Sequence, residues 1–358
     1  MRFLLSDDQL DLQAAVRDYA LERGDAGARR GAFEGDSGFD PDFWQGLMAL
    51  GAGGIGAPED AGGLGLGLLD VALAAEALGY AGAPGPFLGH VLAIHAIALC
   101  GSDDQKARWL PGLATGEVIG TVALAEPGER LRPATWETRF ADGQLAGEKR
   151  DVLYPELADV TVVGVTDGFA LVERAAPGQA LAPRDGADRT RRLTQVTYAA
   201  TPAEAMPASG EAADRVVDAA LVLLAADAFG GATRLLEMST EYAKTREQFG
   251  GPIGRFQGLK HQLANMAVEV EPARGLYWYA AHAYDRQSPD SARVAALAKA
   301  HLGEVYMQTA RAAIEAHGGI GYTWEYDAQI WFKRAMFDFA YLGAPSRHRE
   351  RAAQLGGW

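Results

Sequence analysis

Two short stretches carry residues whose types and spacing suit binding chemistry. The first is TREQFGGPIGRFQGLKHQLANM, residues 245–266. Arg246 and Gln248 stand where a helical period stops at a Gly-Gly-Pro turn. A guanidinium offers a planar fork of donors and an amide offers donor and acceptor, which together suit a phosphate or a ribose. Phe249 and Phe256 flank them, and Gln257 follows. The plainer reading is a helix-helix corner with polar side chains in solvent. The second stretch is AHGGIGY, with His317, Gly318 and Gly319. Adjacent glycines let a backbone approach a ligand closely or turn N–H groups toward an anion. They also end helices, which is their commoner use.

Weaker signals surround these. ALAEPGERLRPATWE, residues 123–137, puts a Glu126-Pro127 turn at a strand end, either beside a ligand or simply as a β-turn. GAPEDAGGLGLG, residues 56–67, matches neither dinucleotide nor P-loop spacing and reads as a structural connection. Seven histidines give no pair at zinc-ligand spacing, and no GxSxG nucleophile elbow occurs. His261 and His317 adjoin the motifs, but a lone histidine is more often a packing residue than a base. Trp324, Trp331, Phe332, Phe337 and Phe339 read as core and interface aromatics.

The elements that must hold these motifs follow from periodicity. Residues 6–116 are mostly helical. Ser6-Asp7-Asp8-Gln9 and Ser102-Asp103-Asp104-Gln105 are helix starts, and Asp40-Pro41 is another. LLDVALAAEALGYAG and FLGHVLAIHAIALCG lie between them. After Gly116 the period shortens. VIGTVALAE, TWETRF, QLAGEK, DVTVVGVT, GFALVE and LTQVTYAA are short, alternating or β-branched, and turn signals separate them. No helix-length segment intervenes, which argues against a parallel α/β sheet. Helical periodicity returns over 211–247, 256–286, 290–316 and 325–342, with short connections that predict antiparallel neighbours. The expected class is α+β: an all-α segment 1–116, a β-barrel-like segment 117–205 and a four-helix bundle 206–358.

Bulk properties narrow the function classes. With 358 residues, 48% hydrophobic and 22% charged, the chain is an ordinary globular protein with room for a large core. A formal net charge of −14 argues against a nucleic-acid surface and against membrane adsorption. A local arginine cluster remains compatible with an anionic ligand. No apolar run approaches the roughly 20 residues a membrane helix needs, and MRFLLSDDQLDLQ lacks a signal-peptide pattern. The single cysteine, Cys100, excludes an intrachain disulfide and predicts a reducing, cytoplasmic setting.

Taken together and in order, the segments PEDAGGLGLGLLDVALAAEALG, QKARWLPGLATGE, YAKTREQFGGPIGRFQGLKHQLANM and HGGIGYTWEYD resemble landmarks of the acyl-CoA dehydrogenase family of flavoproteins. The resemblance covers nearly the whole chain. It implies FAD as cofactor, lying between the β domain and the bundle and reaching a neighbouring subunit. Arg246, Gln248, Phe249, Phe256 and Gln257 match its FAD-contacting segment. His317, Gly318 and Gly319 match the element that contacts FAD across a dimer interface. Leu124 and Ala125 match the strand beside the flavin ring. The implied chemistry is α,β-desaturation of an acyl-CoA thioester, in a dimer or tetramer that passes electrons to an electron-transfer flavoprotein or similar acceptor.

The chain departs from that family at its chemical centre. One usual position of the catalytic glutamate falls on Gly343 when counted from Arg334, or on Leu342 when Tyr-x-Gly is aligned. The other, on the first bundle helix, falls on Ala220. None is an acid, so no catalytic residue is assigned. Asp218, Asp227 and Asp338 are the nearby acids, each displaced in register or too short. The family's flavin-covering tryptophan and nearby threonine align with Asp151 and Leu153, its Gly-Ser-Asp loop is lost after Glu126-Pro127, and its glutamine is Glu315. Three readings follow: a dehydrogenase with a relocated base, the glutamate-lacking subunit of a heteromer with a family paralogue, or a flavin-free scaffold. The absent acids favour the second, and the retained cofactor motifs weigh against the third. Degenerate partners of this kind occur in steroid side-chain degradation, which would imply bulky acyl groups.

Overall fold

Each Ser-Asp-Asp-Gln tetrad starts a helix. In both, the serine hydroxyl accepts from the glutamine N–H and the glutamine side chain accepts from the serine N–H, closing a reciprocal box. The computed structural model describes residues 4–166, 168–207 and 210–358. Six helices come first: α1 (Asp7–Arg23), α2 (Ala26–Glu34), α3 (Pro41–Ala49), α4 (Leu68–Ala81), α5 (Phe87–Cys100) and α6 (Asp103–Thr115). Eight strands follow: β1 (Gly120–Ala123), β2 (Arg139–Ala141), β3 (Gln144–Leu153), β4 (Val160–Val165), β5 (Gly168–Glu173), β6 (Gln179–Arg184), β7 (Leu193–Pro202) and β8 (Glu204–Ala205). Helices α7 (Gly210–Thr245), α8 (Gln257–Asp285), α9 (Ser291–His317), α10 (Ala328–Ala340) and α11 (Pro345–Leu355) complete the chain. The class is α+β, as expected from the change of period. The fifth helix of the C-terminal part, α11, was not expected from the sequence.

The strands form two four-stranded sheets, β1-β4-β5-β8 and β2-β3-β7-β6, and are not closed into a barrel. Pairing is antiparallel except between β1 and β4, which run parallel. No helix is needed for that crossover, because the chain between β1 and β4 passes through β2 and β3 of the other sheet. Residues of both sheets share one core, including Ala123, Leu145, Val163, Val172, Val196 and Tyr198. The β3–β7 register shifts between Lys149 and Val152, and Asp151 in that bulge has φ +56°. A bulge re-aims the side chain it carries.

Residue contacts group the chain into two units. One comprises Met1–Arg29, Ala72–Ala83 and Leu221–Trp358; the other comprises Arg30–Val71 and Pro84–Ala220. In the first, α4 and α7 approach until their backbones touch. A Cβ added to Gly79 would stand 2.3 Å from the Asp227 carbonyl, and one added to Gly230 would stand 2.0 Å from the Glu76 carbonyl. Only glycine permits that crossing. Helix α7 is long and apolar enough to span a bilayer, yet 94% of its apolar window is buried within the protein, as a core helix requires. In the second unit α5 lies on β1, where Gly89 faces the Thr121 side chain and Gly120 faces the Ala93 methyl.

Candidate functional site

The stretch after α7 folds into a tight corner. Gln248 and Gly251 exchange both backbone hydrogen bonds (2.9 and 3.3 Å), and the Ile253 N–H donates to the Arg246 carbonyl at 2.8 Å. Phe249 and Gly250 adopt φ +52° and +81° to close it. Arg255 donates to the carbonyls of Phe249 and Gly250, so its cation is spent on holding the turn. Phe249, 85% exposed, meets the half-exposed Phe256 ring edge-on at 6.0 Å. Arg246, Gln248 and Gln257 are exposed. Among the described residues, the Arg246 guanidinium has no carboxylate partner. The corner thus offers a free cation beside the exposed Phe249 ring, while the Arg255 guanidinium lies over the Phe256 ring, 5.0 Å from its centre.

The end of α9 is tied to this corner. Tyr242, one turn before Arg246, stacks on His317 with ring centroids 4.5 Å apart, and the Tyr326 ring lies tilted against His317, also at 4.5 Å. His317 is buried, and its Nδ1 donates to the Ala313 carbonyl at 2.7 Å. Burial lowers its pKa, so the imidazole is neutral and serves packing rather than charge. Gly318 (φ +63°) and Gly319 differ: a Cβ on either would meet nothing within 4 Å. Backbone there faces open space. The Glu315 carboxylate, out of place beside a pyrophosphate, accepts from Gln262 Nε2 at 3.3 Å.

Leu124 and Ala125 lie in the other unit, buried just past β1, and the Ala125 carbonyl accepts from the Arg150 N–H at 2.9 Å. Glu126 turns inward. Its carboxylate accepts from the Glu137 and Thr138 N–H groups (2.6 and 3.0 Å) and from Lys149 Nζ (2.7 Å). Asp151 is held by Arg150 (2.7 Å) and Arg184 (3.4 Å), so an ion cluster stands where the resemblance places a flavin-covering tryptophan. Leu153 is buried.

The three nearby acids are all withdrawn from solvent. Asp218 pairs with Arg132 at 2.9 Å. Asp227 accepts two bonds from Arg334. Asp338 is fully buried next to Lys299. Leu342, Gly343 and Ala220 supply no side-chain acid, and Leu342 and Ala220 are buried. Lys299 and His348 were not singled out in the sequence. One signal existed: Lys299 interrupts the apolar face Ala295, Leu302, Tyr306 of α9, all buried.

Residues 6–117 match the model of the acyl-CoA dehydrogenase N-terminal domain, and residues 212–355 that of the C-terminal domain. The chain is 32% identical over 348 residues to acyl-CoA dehydrogenase IpdE2 of Mycolicibacterium smegmatis, covering 97% of this chain and 98% of that protein. It is 33% identical over 335 residues to the protein of the same name from Mycobacterium tuberculosis, covering 93% and 92%. Among solved structures it is similar to a variant of the Tcur3481-Tcur3483 steroid ACAD, with a TM-score of 0.91, 29% identity and 98% of each chain covered.

Proposed function

Given that the chain belongs to the acyl-CoA dehydrogenase family, an oxidoreductase family acting on CH–CH groups, we propose that it is the glutamate-lacking subunit of a heteromeric, FAD-dependent acyl-CoA dehydrogenase. One observation carries the reading: neither expected position of the base holds an acid, and each nearby acid is buried or ion-paired. A thioester α-proton is weakly acidic, so its removal requires an aligned, desolvated carboxylate. Asp227 could accept a proton only by abandoning Arg334. A paralogue carrying the glutamate supplies that group.

The bundle side of this chain fits FAD. Arg246 offers an unpaired guanidinium for a phosphate, Gln248 and Gln257 offer amides, Phe249 offers an exposed ring with Phe256 beside it, and Gly318-Gly319 leaves backbone accessible. When bound, FAD supplies the acceptor for the β-hydride. The β side offers less, because Asp151, Arg150 and Arg184 replace an aromatic cover with charge. This contrast supports a chain that completes a cofactor site shared with its partner through the bundle residues.

The substrate in this reading is an acyl-CoA with a bulky ring-bearing acyl group, since a similar solved structure is named a steroid ACAD. Electrons leave to an electron-transfer flavoprotein or similar acceptor, and the complex works in the cytoplasm. The decisive experiment is co-expression with a glutamate-bearing paralogue encoded nearby. Co-purification, with acyl-CoA-dependent bleaching of the flavin band only in the mixture, is expected. Bleaching by the lone chain would establish the relocated-base reading instead; no association and no flavin would leave a scaffold.

A further inference from the structure

Helix α3 and the junction between α6 and β1 border a groove of about 550 Å³ that lies within one of the two units. Its lining residues stand outside the cofactor motifs. The floor is rigid. The buried Trp44 donates its indole N–H to the Gly116 carbonyl at 3.3 Å and meets His90 edge-on, with centroids 4.9 Å apart. His90 is held at both nitrogens: Nε2 donates to the Leu113 carbonyl at 2.9 Å, and Nδ1 accepts from the Gly120 N–H at 3.2 Å. Buried Met48 completes the floor. Glycine at 116, with φ +75°, leaves it room, because a Cβ there would stand 2.2 Å from Met48 Cγ. Phe39, its ring centroid 6.4 Å from that of Trp44, forms a wall.

The rim carries charges of unequal standing. Asp159 and Arg174 pair at 3.3 Å, and Arg174 also donates to the Leu157 and Ala158 carbonyls, so that end of the groove is neutral. Glu117 differs. Among the described residues its exposed carboxylate has neither an ion pair nor a hydrogen bond, and the exposed Gln45 amide has no partner either. The groove is thus an aromatic, apolar bed with one uncompensated negative charge. Its volume and its lining, apolar with a few polar groups, are those of a small-molecule site. Aromatic faces attract cations, the free carboxylate supplies a counter-charge, and a net charge of −14 draws cations toward the protein. An anionic ligand would meet Glu117 as a like charge.

We propose that this groove binds a small organic cation: an ammonium carried on an apolar, ring-sized body. The body lies against Trp44 and Met48, and the ammonium pairs with Glu117. The proposal does not depend on the reading of the chain as the glutamate-lacking subunit.

The test uses the full chain labelled with 5-fluorotryptophan, with the Trp44 resonance identified through Trp44→Phe. Three probes of nearly one shape are titrated by fluorine NMR: phenethylammonium, neutral 2-phenylethanol and anionic 3-phenylpropionate. Phenethylammonium should shift the Trp44 signal saturably and bind about 5-fold more tightly than the alcohol, as a partly exposed ion pair allows, with the anion weakest. Glu117→Gln, an exposed position whose change should leave Tm where it is, should bring the ammonium within about 2-fold of the alcohol. Raising the salt should narrow the same gap by screening. A shift that stays linear with concentration, equal affinity for all three probes, or an unchanged preference in Glu117→Gln would overturn the site.

Discussion

Arg334 and Asp227 form a two-bond ion pair inside the bundle, with Nη2–Oδ1 at 2.6 Å, Nε–Oδ2 at 3.0 Å and both side chains almost fully buried. Arg334 Nη1 also donates to the Ala83 carbonyl at 2.8 Å. The pair joins α10 to α7. Asp227→Ala would leave a guanidinium buried without its counter-charge, at a cost of about 3–5 kcal/mol. Urea denaturation should show a lower midpoint at unchanged slope. Replacing both residues by apolar ones should cost less than the single change, because no lone charge remains.

Arg246 is the free cation of the α7–α8 corner. A hydrogen bond to a charged group contributes about 1.5–3 kcal/mol, so Arg246→Ala should weaken FAD retention roughly 10- to 100-fold. The flavin-to-protein ratio of the purified complex after dialysis reads this directly. Unchanged occupancy would remove Arg246 from the cofactor site. The neighbouring Arg255→Ala should differ in kind. Arg255 ties the carbonyls of Phe249 and Gly250, so its loss should loosen the corner and lower Tm.

How much of this was legible from residues alone depended on the range of the interaction. The capping boxes at Ser6 and Ser102 are local, and both helices begin where those residues predict. Helix α11 was missed because PSRHRERAAQL is polar; it stands on Pro345 at its first turn and on burial of Pro345, His348 and Ala352, spaced along one face. Strand β6 was missed because it carries Pro183, tolerated only because β6 is an edge strand. At the site, the motifs marked the corner and the glycine pair, which are local. They gave no hint that Glu126 faces Lys149, that Asp227 faces Arg334, or that Lys299 donates to carbonyls at the end of α10. Those pairings join residues far apart in sequence, and charge alone does not reveal a partner.

Acid should destabilise this protein earlier than carboxylate titration alone would. Burial lowers the pKa of His90 and His95 to about 4 and of His348 to about 3, the last also by its neighbour Lys299. The unfolded chain takes up these protons first, near pH 6.5. Stability is therefore full above that value and falls as pH drops from 6.5 toward 4, by about 2 kcal/mol per histidine at pH 5. Melts between pH 7 and 5 should show a steady fall in Tm. Proton NMR should find these three rings still neutral at pH 5; a ring titrating near 6.5 would show that it is not buried as described.

In sequence, Glu126-Pro127 reads as either a ligand's border or a plain turn; the Glu126 carboxylate closes the loop of residues 126–137 from within. It lies beside Lys149 at 2.7 Å and accepts the Glu137 and Thr138 N–H groups, while the Lys149 ammonium sits 4.5 Å from the centre of the Trp136 ring. Burial alone would raise the Glu126 pKa, but Lys149 and the two amides outweigh it and hold the carboxyl below its usual range. Glu126→Gln would leave Lys149 without a counter-charge in a dry site, costing about 3–5 kcal/mol. Hydrogen exchange gives the sharper readout. The amides of Glu137 and Thr138 lose an ionised acceptor and should exchange faster than those of β4, which keeps its ladder to β5. If both amides stay as protected as in the unaltered chain, the carboxylate is not what holds this loop.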